Sequence, residues 1–179
     1  MRTSFVIAAG FTLSACAYQT VQMLPGHGGP AALTSGDIPC VMVAADGAYG
    51  SRVYAGSGRT VSTQIVSVVR RTWPEATLVE PPDENEAATR CGALGSNYLI
   101  VPTLLHWEDR ATNWSGVRDH IDVEVHLLRI APKELLRSMT FEARNNWFTL
   151  VDAAPSELLD DRFDAGVAQL LSMSRENSR

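Results

Sequence analysis

The chain has 179 residues, 45% of them hydrophobic and 20% charged, with a formal net charge of −5 and three cysteines. Those proportions suit one globular domain with its own apolar core, and they exclude a collagen-like repeat, a disordered polar chain and a disulfide-dense miniprotein. The acidic balance argues against the basic face that a nucleic-acid binder needs, and no apolar run reaches the ~18 to 20 residues that span a bilayer.

Met1 and Arg2 give a positive start, and Phe5 to Phe11 form an apolar run too short to cross a membrane. Leu13-Ser14-Ala15-Cys16 follows, and it resembles the bacterial lipobox of an aliphatic residue, two small residues and a cysteine. Small side chains suit a signal-peptidase cleft, and the thiol can carry diacylglycerol. Residues 1–15 are therefore expected to be a signal peptide, with Cys16 the lipidated N-terminus and the membrane a partner through that anchor. Ala17, where an inner-membrane retention signal would place Asp, implies the outer membrane with the domain facing the periplasm.

Residues 16–37 are rich in Gly and Pro and show no periodicity, which predicts a flexible tether with an r.m.s. span of roughly 25 Å. A single α/β domain is expected over 38–174, with a polar tail at 175–179. Ile38 to Ala45 is a short apolar run bounded by turn residues, as in a buried strand. A glycine-rich loop, 47–58, leads into a helix whose face carries Val61, Ile65, Val68 and Val69, stopped by Pro74. Ala76 to Glu80 is a second strand, and Pro81-Pro82-Asp83 opens a helix that ends at Gly95.

Asn97 to His106 predicts a central strand, with Pro102 marking a bulge or a change of neighbour. Ile121, Val123, Val125 and Leu127 alternate with Asp122, Glu124 and His126, the pattern of a strand with one wet face. Leu135, Met139, Phe141, Ala143 and Trp147 line a fifth strand. Pro155 begins a closing helix with the stripe Leu159, Phe163, Val167, Leu170 and Leu171, while Asp160, Asp161 and Asp164 form a solvated face. The order β-α-β-α-β-β-β-α predicts a mixed sheet of about five strands with helices packed against it.

Three groups of residues could carry chemistry. Gly50, Gly56 and Gly58 precede Arg59-Thr60 at a helix start, as in a phosphate cradle. The Walker spacing fails, however, with Val53 for a glycine and Arg59 for the lysine, so a structural loop is the preferred reading. Cys40 and Cys91 fall at the same end of the predicted sheet and are either a disulfide, favoured by an oxidising compartment, or two buried thiols. The segment His106-Trp107-Glu108-Asp109-Arg110-Ala111-Thr112-Asn113-Trp114-Ser115-Gly116 is the densest. Trp107, Arg110 and Trp114 have the composition of an interface hot spot, with Glu108 and Asp109 as its rim. The same segment could instead be a twisted hairpin whose tryptophans stack, or an active site using His106, Glu108 and Asp109 with His120 nearby. No CxxC or HxxxH pair is present, so neither a metal nor another cofactor is expected.

The 106–116 stretch, the preceding Tyr98-Leu-Ile-Val-Pro102 and the Val53-Tyr-Ala-Gly-Ser-Gly58 loop together resemble a family of uncharacterised bacterial lipoproteins. That resemblance spans about residues 38–171, implies an envelope lipoprotein and names no activity. The element order is also similar to the small α/β domains of periplasmic assembly lipoproteins, such as penicillin-binding-protein activators and the curli secretion lipoprotein. The expected role is a non-enzymatic accessory or assembly factor that contacts another envelope protein or a glycan through the 106–116 hairpin. A periplasmic hydrolase or metal-dependent enzyme and a purely structural lipoprotein are the alternatives.

Overall fold

The computed structural model describes residues 18–26, 33–34, 36–81, 83–109, 119–145 and 154–172. Among the described residues, eight strands and three α-helices follow in chain order: β1 (Tyr18–Pro25), β2 (Cys40–Met42), β3 (Ala48–Tyr49), β4 (Arg52–Val53), α1 (Ser57–Arg70), β5 (Thr77–Val79), α2 (Glu84–Ala93), β6 (Tyr98–Glu108), β7 (His120–Arg129), β8 (Glu134–Arg144) and α3 (Asp161–Leu171). A 3-10 turn, Pro155–Leu158, precedes α3. Six strands form one mixed sheet in the order β1-β8-β7-β6-β2-β5, and β3 pairs with β4 in a separate ribbon. The expected α/β class and the expected core elements are present.

The connectivity explains which faces are covered. From β2 the chain crosses through α1 out to β5, then returns through α2, past β2, to β6; β2 is parallel to both β5 and β6. Two crossovers of the same hand running in opposite directions put their helices on opposite faces. The larger core accordingly joins α1, α3 and the inner face of the sheet, with Ile65, Val69, Phe141, Phe163, Met139 and Leu170 among its members. A smaller core on the other face joins Ala87 and Cys91 of α2 to Cys40, Leu99, Val101 and Leu128. The disulfide favoured by the sequence is formed here: Cys40 and Cys91 are bridged, both fully buried, with Cα atoms 5.9 Å apart.

Pro102 stands where the sequence suggested a change of neighbour. The β2–β6 pairing ends at Ile100, whereas the β6–β7 register runs on through Pro102↔Val125. The lost amide donor thus costs no ladder bond to β2.

Three expectations are corrected. Residues 18–25 are not tether: they form β1 and pair antiparallel with β8 over eight residues, Tyr18↔Arg144 to Pro25↔Arg137. Leu33, also assigned to the tether, is fully buried in the larger core. β1 escaped notice because polar and apolar residues mix along an edge strand that contacts the core only through Val21 and Met23. Leu136 rather than Leu135 joins the larger core, because a register shift at Leu127/Leu128 inserts one residue into β8. Asp160 caps α3 by accepting from the Arg162 amide. Asp164, 7% exposed, is not solvated but receives Gln64 Nε2 and Arg71 Nη2, each at 2.6 Å, tying α3 to α1.

Gly166 is where α3 lies closest to the sheet. A β-carbon there would stand 2.7 Å from Met139 Sδ and 3.1 Å from Val21 Cγ1. Gly166→Val should therefore destabilise the fold by about 1–3 kcal/mol, read as a lower midpoint in urea unfolding. The bridge closes a sequence separation of 51 residues, and its reduction should cost about 4 kcal/mol by the chain-entropy argument, read in the same assay with and without a reductant.

Candidate functional site

The half of the sheet made by β1, β8, β7 and the later part of β6 carries helices on one face only among the described residues. On β7 the alternation is strict: Ile121, Val123, Val125 and Leu127 are fully buried, while His120, Asp122, Glu124 and His126 share the opposite face. On β8 that outer face holds Ser138, Thr140, Glu142 and Arg144, each opposite a β7 residue of the same face.

Strand β6 reaches this face through an irregularity. Its register against β7 shifts between Leu104 and His106. The extra residue flips the parity of everything beyond it. Leu104 and Trp107 therefore both pack towards the larger core, while His106 and Glu108 turn to the outer face. Trp107 is only 5% exposed, and Gly47 lies so close that a β-carbon there would be 2.5 Å from Trp107 Cβ. Trp107 is thus a support beneath the hairpin, not the exposed anchor that its residue type suggested.

The outer face gathers a compact titratable group in two cross-strand rows. One row is Glu108, His120 and Arg144, continued by Tyr18; the next is His106, Asp122 and Glu142, continued by Thr20. His106 Nε2 lies 3.2 Å from Glu108 Oε2. The His106 and His120 rings are 4.3 Å apart at their centroids, and Tyr49 of the β3–β4 ribbon closes on His106 at 4.9 Å. His120 Nε2 is 3.4 Å from Glu142 Oε1, which also pairs with Arg144 Nη2 at 2.7 Å. Among the described residues, His120 Nε2 and Asp122 Oδ1 are shielded from solvent and have no hydrogen-bond partner.

Both of those groups titrate abnormally. Burial, followed by the charges of His106 and Arg144, pushes His120 below its ordinary 6.5 against the pull of Glu142 and Asp122. Burial and the neighbouring Glu142 carboxylate raise Asp122 above its ordinary 3.8. Their linkage signs are opposite. Below about pH 6.5 the unfolded chain takes up a proton that folded His120 resists, so this group removes stability as pH falls from 6.5 towards its lowered value. Asp122 destabilises the fold when ionised, and that loss is relieved as pH falls through its raised value towards 3.8.

Two outcomes follow for urea unfolding measured from pH 7 down to pH 5. His120→Gln should flatten the decline of stability below pH 6.5. Asp122→Asn should raise stability at pH 7, with the gain shrinking towards acid.

The remaining sequence candidates are dispersed. Asp109 lies away from the histidines and lines a cavity of about 400 Å³ with Arg52, Thr60, Trp107, Pro155 and Ser156. Arg110 and Trp114 lie outside the described residues. The glycine loop is structural: Gly50 and Gly56 adopt positive φ, and Asp46 Oδ1 accepts the Gly58 amide at 3.0 Å at the start of α1. A carboxylate of the chain itself therefore stands where a bound anion would. Among the described residues no group of three or more His, Cys, Asp or Glu has an arrangement that could hold a metal ion.

Sequence reasoning did not single out Asp122, Glu142, Asp119 or Asn145 as site residues. Asn145 Nδ2 donates to Asp119 Oδ2 at 2.6 Å, and the Asp119 amide donates to Asn145 Oδ1 at 3.0 Å. A third bond runs from the Asn145 amide to the Asp119 carbonyl at 3.2 Å. This clasp joins the start of β7 to the end of β8. The period-two patterns of the two strands could have marked Asp122 and Glu142 as same-face residues, but not as direct neighbours.

The PelC dodecamer from Paraburkholderia phytofirmans shares the fold, with 16% identity and a TM-score of 0.61 over 87% of this chain and 96% of that one. The lipoprotein GNA1162 from Neisseria meningitidis aligns more loosely, at 10% identity and a TM-score of 0.43 over 74% of this chain and 96% of that one. No curated protein matches the chain in sequence. Residues 33–170, which include the buried Leu33, the disulfide, the histidine–carboxylate group and almost all of α3, match the domain of unknown function DUF4823, and the chain belongs to that family.

Proposed function

We propose that this protein is an outer-membrane lipoprotein, cleaved after Ala15 and acylated on Cys16, whose domain faces the periplasm. Its role is that of a non-enzymatic accessory or assembly factor that contacts another envelope component, protein or glycan, through the tip of the β6–β7 hairpin. The observation that carries this reading is the rigidity of the hairpin base. The two strands run 11 and 10 residues, Trp107 is sunk in the core beneath them, and the Asp119–Asn145 clasp holds the return strand. Such a base fixes Asp109 and Asp119, the two ends between which the sequence places Arg110 and Trp114, as a recognition surface requires. Trp107 and Glu108, 5% and 6% exposed, then support the contact rather than make it.

The hydrolytic alternative draws on His106, Glu108 and His120, which do stand together. It is the weaker reading, because the third proposed group, Asp109, lines a cavity whose walls include neither histidine nor Glu108.

Photo-crosslinking in living cells from a probe replacing Trp114, followed by mass spectrometry, tests the association. A single dominant adduct with an envelope component is expected. A folded, membrane-associated protein that gives no adduct would overturn the hairpin interface. Cys16→Ser should leave the chain without its acyl mass and with residues 1–15 still attached, read by intact-protein mass spectrometry.

A further inference from the structure

The position of β1 fixes how an acylated chain stands on its membrane. Only Ala17 separates Cys16 from Tyr18, the first residue of β1. Two residue steps of trans backbone span at most about 7 Å. The acyl chains on Cys16 therefore cannot be far from the first paired residue of the sheet. β1 is no loose leash either, since all eight of its residues are in register with β8. The expected tether, with a reach of tens of ångströms, is replaced by a strand built into the domain.

We propose, on the reading that Cys16 is acylated, that the end of the sheet bearing Tyr18 and Arg144 rests against the phospholipid headgroups and that the strands run away from the bilayer. The cross-strand register identifies that end: Tyr18 faces Arg144, Arg144 faces His120, and His120 faces Glu108. Tyr18 is 54% exposed and the Arg144 side chain 46% exposed. A phenol and a guanidinium on apolar stems suit the zone where hydrocarbon meets phosphate. The far end holds Pro25, Arg137 and the segment before β5. Seven residue steps of β1, about 23 Å, separate it from Tyr18. The hairpin of the proposed function leaves β6 at Glu108, so its partner contact lies in the membrane-proximal layer.

The test uses the full-length protein, produced in bacteria with its own leader and reconstituted into vesicles of phosphatidylethanolamine and phosphatidylglycerol. With Cys40 and Cys91 bridged and Cys16 acylated, one introduced cysteine is the single free thiol. Arg144→Cys, Gln22→Cys and Glu75→Cys place an environment-sensitive fluorophore at the near end, midway along β1 and at the far end, all at exposed positions. Headgroup spin-labelled lipid should quench the label at 144 several-fold more than at 75, with 22 between them. Equal quenching at the three sites, or the reverse order, would overturn the orientation. The intact mass of each sample reports acylation separately. An acylated protein without the gradient defeats only the orientation, whereas an unacylated Cys16 defeats the anchor and the orientation together. A variant that fails to fold is recognised by loss of the wild-type urea midpoint, and Thr20→Cys then replaces Arg144→Cys as the near-end site.

Discussion

The contact among α3, β8 and β1 sets the position of everything else. α3 comes down on the sheet at Gly166, where the missing side chain leaves room for Met139 of β8 and Val21 of β1. Phe163, one turn earlier, meets Phe141 edge to face with ring centroids 5.1 Å apart. A helix seated this closely needs sheet beneath it beyond β8, and β1 supplies that sheet. Gln19 Nε2 completes the arrangement by donating to Asp160, the residue that caps α3, at 2.9 Å. The N-terminal strand is thus part of the core that α3 closes, and through it Tyr18 is held in a set relation to the rest of the domain.

Coverage of the sheet divides it into two regions with different chemistry. At the β5-β2-β6 end both faces are covered, by α1 and α2, and β2 and β5 are only three residues long. At the β7-β8-β1 end one face is covered, and the other carries histidines, carboxylates and arginine in alternate positions. Burying isolated charges would be costly, but these groups sit beside polar partners, between alternate residues of one strand in His106–Glu108, Glu124–His126 and Glu142–Arg144 and across strands in His120–Glu142. His120 and Asp122 are the least satisfied members, and their opposite pKa shifts reflect that. The disulfide secures the doubly covered region by fastening α2 to β2.

The candidate site was legible only in pieces. The alternation in β7 correctly assigns Asp122, Glu124 and His126 to a wet face, because a two-residue period survives whatever the neighbouring strands do. The orientation of Trp107 was not legible. Residue type favours an interface role, and unbroken alternation from Thr103 would have pointed it outward. One extra residue between Leu104 and His106 sends it into the core and brings His106 beside His120 instead. That bulge has no local signature in the sequence, since its cause is the match between β6 and β7 across the sheet.

Taken alone, the sequence determined the class of fold, the main strands and helices, the pairing preferred for Cys40 and Cys91, and the lipobox on which the anchor reading rests. Each of these follows from local chemistry: periodicity, capping residues, compartment and motif spacing. The tertiary structure decided that residues 18–25 are an edge strand, that Asp46 satisfies the glycine-loop helix start, that Asp164 is buried against α1, and that Trp107 faces inward. These depend on partners 12 to more than 100 residues away along the chain. A polar edge strand looks like a tether until the strand that receives it is in place, because most of its stabilisation comes from backbone bonds to β8 rather than from its own side chains.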